Sequence, residues 1–252
     1  MPRLVKICGI KTIEAASVAI DNGADLLGCI LVPNRARTIS HEIAQQISIN
    51  VKKARESRNR KLKTPTEIQE YLSMKSFTDP NEYFETISQV LIENGPFLVG
   101  VFRNQSIEEV FSIANELQLD FIQLHGSEDK VDFIERNGDS RFGIIPRYVI
   151  PKELEGLKVQ SVELMKKRSL SIPLLDSEAG GEGKVIDWDY ISENLGFTRV
   201  ILAGGLHPGN LKDTETIKNV IGYDVSGGVE DEQGNKDLQK IKDFIKIGKA
   251  LP

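Results

Sequence analysis

The chain has 252 residues, 40% of them hydrophobic and 27% charged, which is enough apolar material for a substantial core with a soluble surface. Its formal net charge of -5 leaves no global basic footprint, so neither a nucleic acid nor a membrane surface is expected as a partner. No stretch approaches the ~20 apolar residues of a membrane span and Met1 to Gly9 lacks a signal-peptide core, so a cytoplasmic location is expected.

Leu4 to Ile7 is a short apolar run closed by Cys8-Gly9, and Ile13 to Ile20 then carries apolar residues at helical spacing until Asn22-Gly23 stops it. The pattern recurs with a buried-type strand at Leu26 to Val32, a loop at Pro33 to Thr38, and an amphipathic helix from Ser40, its N-cap, to Ala54. Val51 to Asn94 is too long for a connection in a compact domain and reads as an insertion. Its start holds Lys52, Lys53, Arg55, Arg58, Arg60, Lys61 and Lys63 against Glu56, a cluster read as a solvated helix extension and loop rather than a nucleic-acid patch. Ser73 to Val90 offers a further helix, with Phe77, Tyr83, Phe84 and Ile87 as anchors. Deleting much of 64–93 is expected to spare catalysis.

A third unit starts with Phe97 to Phe102 and a helix from Ser106 to Leu117, and a fourth with Phe121 to Leu124. Strands follow at Arg141 to Val149, Ile172 to Leu175, Val200 to Ala203 and Gly222 to Val225, with a last helix at Lys236 to Lys249. Such alternation means parallel strands joined by helical crossovers, and about eight units is the count of a (β/α)8 TIM barrel. A doubly wound sheet competes, but no Gly-x-Gly-x-x-Gly follows the first strand. The expectation is therefore α/β, a single barrel domain over residues 1–252 with an insertion at about 51–94.

In this fold, chemistry sits at the carboxyl ends of the strands. The residues found there are Cys8, Arg35 and Arg37 after strand two, His125, Asp176 and Ser226. Taken singly each has a bland reading: a buried thiol, a turn, a cap. Gly204-Gly205 and Gly227-Gly228 follow strands seven and eight, where this fold commonly holds a phosphate on backbone N–H groups. The substrate is thus expected to be a phosphate ester. Cys8 and Cys29 are not spaced for a disulfide framework or zinc, and no metal site is expected.

The segments Lys6-Ile7-Cys8-Gly9-Ile10, Val99-Gly100-Val101-Phe102, Gln123-Leu124-His125-Gly126, Leu174-Leu175-Asp176-Ser177, Ala203-Gly204-Gly205-Leu206 and Asp224-Val225-Ser226-Gly227-Gly228-Val229-Glu230 occur in that order. Together they resemble the signature blocks of the phosphoribosylanthranilate isomerase family. The resemblance implies a cofactor-free Amadori rearrangement in tryptophan biosynthesis, acting on a small phosphosugar–anthranilate substrate. It implies Cys8 as general base and Asp176 as general acid. It also implies Arg37 on the anthranilate carboxylate, with Arg35 a weaker candidate. Gln123, His125, Gly204, Gly205, Ser226, Gly227 and Gly228 would contact substrate, and Gly180, Gly181 and Gly183 would belong to a closing loop beside the phosphate.

Chemically, the acid must be protonated and the base ionised at neutral pH, whereas a cysteine near its ordinary pKa of about 8.5 is mostly thiol. Two departures from the family pattern stand out. Gly227 replaces a frequent second serine, and Arg147 stands near the end of strand five where a lysine is common. The histidine-pathway isomerase uses two carboxylates, which Cys8 argues against. Indole-3-glycerol phosphate synthase needs a strand-end lysine, and none is found. A phosphosugar-binding protein without turnover is the non-enzymatic rival. The chain reads as free-standing, and a monomer is expected.

Overall fold

The computed structural model describes residues 2–176 and 187–252. The chain runs β1 (Leu4–Cys8), α1 (Ile13–Asp21), β2 (Leu26–Ile30), α2 (His41–Ser57), α3 (Pro65–Ser73), α4 (Pro80–Asn94), β3 (Phe97–Phe102) and α5 (Ile107–Glu116). It continues through β4 (Phe121–Leu124), α6 (Lys130–Glu135), β5 (Gly143–Val149), α7 (Leu154–Lys167), β6 (Leu174–Asp176), α8 (Trp188–Asn194), β7 (Val200–Leu202), β8 (Val220–Val225) and α9 (Leu238–Ala250). The strands close in sequence order, each parallel to its neighbours, with β8 pairing β1. This is a single-domain TIM barrel, as the alternation predicts. No helix among the described residues is long and apolar enough to cross a membrane.

Local sequence accounts for most element ends. Thr12, Ser40 and Ser106 each accept a backbone N–H three residues on, capping α1, α2 and α5. Strand boundaries shift by a residue or two where the local chemistry demands it. β6 starts at Leu174 rather than Ile172 because Pro173 has no N–H for the ladder. The seventh crossover is not an α-helix: Ala203 to Gly209 is spent on a glycine- and proline-containing loop, and the remaining six residues, Leu211–Thr216, form a 3-10 helix.

The segment 51–94 departs most from expectation. α2 runs on to Ser57 and buries Val51 and Arg55, so the segment's first residues belong to the barrel's outer ring. Arg55 forks onto Asp120 at 2.7 and 2.9 Å and also donates to Pro96 O. Arg58 donates to Ile20 O and Arg60 to Gly95 O. Cations grouped in sequence are thus spent on buried carbonyls and one carboxylate, and they do not form a free basic face.

Beyond them, Thr64 and Glu67 form a capping box ahead of Pro65, and Asp79 caps α4 ahead of Pro80, so the stretch folds as two helices. Ile68, Leu72, Tyr83, Phe84, Ile87 and Leu91 are fully buried in one cluster with Leu4, Leu26, Phe97 and Phe121. Those four open β1 to β4, so α3 and α4 close the amino-terminal end of the barrel as a floor. Gln69 ties α3 to the backbone before β6, donating to Arg168 O and accepting from Leu170 N. The Tyr83 hydroxyl donates to Ser169 O. The expectation that this stretch is dispensable does not agree with such packing.

Candidate active site

Side chains alternate along a strand, so odd and even positions part company at the barrel wall. Val5, Ile7, Leu27, Cys29 and Ile122 join the helix-facing core, while Leu4, Leu26, Val99, Phe121 and Ile145 fill the lower interior. Continuing the inward set toward the carboxyl ends gives Cys8, Ile30, Val101, Gln123, His125, Asp176, Ala203 and Asp224. All of these line one cavity of about 520 Å³ at that mouth. Apolar filling below and polar groups above is the arrangement that makes a barrel top a reaction vessel.

Of the predicted site residues, Cys8, Arg37, Gln123, His125, Asp176, Gly204, Gly205, Ser226, Gly227 and Gly228 all reach this cavity, as does Arg35. Gly180, Gly181 and Gly183 lie outside the described residues. The two glycine pairs face each other, since a Cβ on Gly228 would sit 1.9 Å from Leu206 O. Only glycine permits that approach. Gly228→Ala is therefore expected to force the two loops apart and weaken anion binding about 10-fold or more, the worth of one charge-assisted hydrogen bond. Inhibition by inorganic phosphate measures this, and an unchanged inhibition constant would show that the loops hold no anion.

Two buried atoms, Gln123 Oε1 and Ser226 Oγ, have no hydrogen-bond partner among the described residues. Buried polar groups are rarely left so, and a bound polar ligand would satisfy them. Gln123 Nε2 lies 3.4 Å from His125 Nδ1. Burial, then the nearby charges of Arg147, Lys6 and Arg103, push the His125 pKa down to about 3, which keeps the ring neutral. Asp176 Oδ2 is 3.7 Å from His125 Nε2 and 3.7 Å from Arg147 Nε. Arg147 thus stands beside the carboxyl, at the position where the sequence left its contribution in doubt.

Burial pushes the Cys8 thiol up, the Lys6 ammonium pulls it back, and Asp224 raises it again. The thiol is consequently the resting form at neutral pH. Arg37 is held by Glu230, with Nε at 2.7 Å and Nη2 at 2.9 Å from its two oxygens. Lys236 donates to the same carboxylate at 3.0 Å and to Ser226 O at 2.8 Å. The Arg37 guanidinium is therefore fixed along one edge, with its Nη1 end left for a ligand.

Sequence reasoning missed Lys6, Asp224, Glu230 and Lys236 as site residues. Lys6, Asp224 and Glu230 lay inside the quoted signature blocks. Period-two counting back from Cys8 and Ser226 was the signal that could have found Lys6 and Asp224.

Residues 51–247 match the family model for N-(5'phosphoribosyl)anthranilate (PRA) isomerase. The chain belongs to the PRA isomerase family. A PRA isomerase of Candida albicans is 56% identical over 248 residues, covering 98% of each chain. That of Saccharomyces cerevisiae is 40% identical over 98% of this chain and 94% of its own. Among solved structures, the PRA isomerase of Thermotoga maritima superposes with a TM-score of 0.68 at 29% identity, over 100% of both chains. Another PRA isomerase, solved in complex with reduced 1-(o-carboxyphenylamino)-1-deoxyribulose 5-phosphate, is 27% identical with a TM-score of 0.64, again over 100% of both chains. This chain is accordingly an isomerase of tryptophan biosynthesis, and the non-enzymatic reading falls.

Proposed function

We propose that Cys8 is the general base and Asp176 the general acid that convert N-(5-phosphoribosyl)anthranilate into 1-(2-carboxyphenylamino)-1-deoxyribulose 5-phosphate. One observation carries this reading. A strand-end thiol and a strand-end carboxyl share a single cavity that is bounded by the facing glycine loops and by the anchored Arg37. A ligand with a phosphate at one end, a carboxylate at the other and a reactive sugar between them matches that order of groups.

Asp176 protonates the furanose ring oxygen, and the C1–O bond breaks as the anilino nitrogen forms an iminium with C1. The Cys8 thiolate then takes the C2 proton, whose electron pair forms the C1–C2 double bond and neutralises the nitrogen. The resulting enolamine tautomerises to the ketone, so the product is an isomer of the substrate and no cofactor enters. The backbone N–H groups around Gly204, Gly205, Gly227 and Gly228 cradle the phosphate. The free end of Arg37 meets the anthranilate carboxylate, with Glu230 and Lys236 holding the guanidinium at a set angle. Gln123 Oε1 and Ser226 Oγ acquire their missing partners from the substrate. His125, neutral throughout, orients Gln123 and packs beside the acid. With scattered exposed apolar side chains such as Ile49, Val159 and Phe197 on separate elements, the chain is read as a cytoplasmic monomer.

The decisive assay follows the loss of anthranilate fluorescence when the protein meets substrate generated in situ. Because the base works only as thiolate and its pKa is raised, kcat/KM is expected to climb with pH past about 8.5, the ordinary cysteine value. No inflection near the ordinary histidine value is expected, because His125 stays neutral. A profile already flat below about pH 7.5 would remove Cys8 from this role.

A further inference from the structure

Behind Cys8 lies a pair of charges that the reaction scheme leaves unused. Lys6 and Cys8 are two apart on β1 and so project from the same side of the strand. Barrel register sets Lys6 opposite Asp224 on β8 and Cys8 opposite Gly28 on β2. Lys6 is fully buried, and its Nζ donates to Asp224 Oδ1 at 2.9 Å. A Cβ on Gly28 would lie 2.8 Å from Cys8 Sγ and 3.1 Å from Lys6 Nζ, so the absent side chain leaves the gap in which ammonium and sulfur meet. Lys6 is within hydrogen-bonding reach of the thiol.

Packing alone does not call for this arrangement. An apolar side chain would fill the same volume without the cost of burying an ammonium and a carboxylate. What the ion pair adds is a fixed positive charge against the sulfur. The other groups that face Cys8 are already committed. Lys236 and Arg37 are paired with Glu230. Burial holds Cys29, next door on β2, up at about 12 and so neutral. Across the cavity stand the neutral His125 and, on β6, Asp176 beside Arg147.

We propose that Lys6 and Asp224 are a positioning pair for Cys8: Lys6 stabilises the thiolate by direct contact, and Asp224 fixes Lys6 and balances its charge while Cys8 is a neutral thiol. The pair rests on the reading of Cys8 as the base. Burial draws the Lys6 pKa down, but Asp224 and Cys8 outweigh it and hold it up at about 12, so the ammonium keeps its charge through the working range. The two members act on Cys8 with opposite signs, since Lys6 favours the thiolate and Asp224 opposes it.

The opposite signs supply the test. Alkylation of Cys8 by iodoacetamide is followed against pH in the full chain, with the Cys8 peptide read by mass so that Cys29 is scored separately. Lys6→Met is expected to raise the midpoint by about 1–3 pH units, the usual effect of losing an adjacent opposite charge. Asp224→Asn is expected to lower it, because the ammonium is then unshared. The Lys6→Met/Asp224→Asn double variant leaves no ion unpaired and should fall between wild type and Lys6→Met. A purely structural pair would move both single variants the same way or not at all, and either result overturns the proposal. If a single variant does not fold, a double-variant midpoint at or below that of wild type overturns it equally. Turnover in Cys8→Ala is measured alongside: survival of activity there sinks the base itself, whereas loss of activity with the wrong order of midpoints sinks only the pair.

Discussion

Cys8→Ala and Asp176→Asn are each expected to lower kcat by about 10²–10⁴-fold or more while leaving the affinity for a product analogue nearly unchanged. The separation follows from what each group does. Neither is needed to hold the phosphate or the anthranilate carboxylate, which fall to the glycine loops and Arg37. Both act on protons that move only during the reaction. Asp176→Asn keeps the shape of the side chain beside Arg147 and His125, each 3.7 Å from the carboxyl, so its effect is chemical rather than steric. Cys8→Ala removes one buried sulfur and leaves the Lys6–Asp224 ion pair intact. Steady-state fluorescence assays with a titrated product analogue distinguish the outcomes. A variant with near-normal kcat would lose its assigned role, and one whose analogue binding collapses together with turnover would show that the residue binds rather than transfers protons.

Tyr83→Ala and Phe84→Ala are each expected to destabilise the protein by about 3–5 kcal/mol, typical of removing a fully buried aromatic ring. That is a large share of the ~5–15 kcal/mol that holds a domain folded. Both rings lie on α4 and pack against each other with centroids 4.7 Å apart, over a cluster that includes the first residues of four strands. Tyr83→Ala also removes the donor to Ser169 O. By the same argument, deletion of 64–93 should give insoluble or unfolded chain, because the apolar strand starts Leu4, Leu26, Phe97 and Phe121 would then face water. Urea denaturation of the point variants gives the numbers. A loss below about 1 kcal/mol in both would mean that α3 and α4 ride on the barrel without closing it.

Much of the chemistry was legible in the order of residues, because its signals are local. Apolar runs of strand length and capped helical stretches established the alternation that demands a parallel sheet. Whatever closed each run was thereby placed at the reactive mouth. Paired glycines after β7 and β8 pointed to the phosphate end for the same reason. The role of 51–94 was not legible, since a capped amphipathic helix reads the same whether its apolar face meets a floor, a partner or nothing. Lys6 was passed over as one polar residue in an apolar strand. Its partner Asp224 is 218 positions away, and Arg37 finds Glu230 across 193. The sequence by itself determined which residues stand at the strand ends and which way each strand faces, because the alternation is written into the pleat. Only the closure of β8 onto β1 decided that Lys6 meets Asp224, that Glu230 holds Arg37, and that α3 and α4 seal the barrel from below. Those contacts depend on inter-strand register and on surfaces that exist only once the chain has folded.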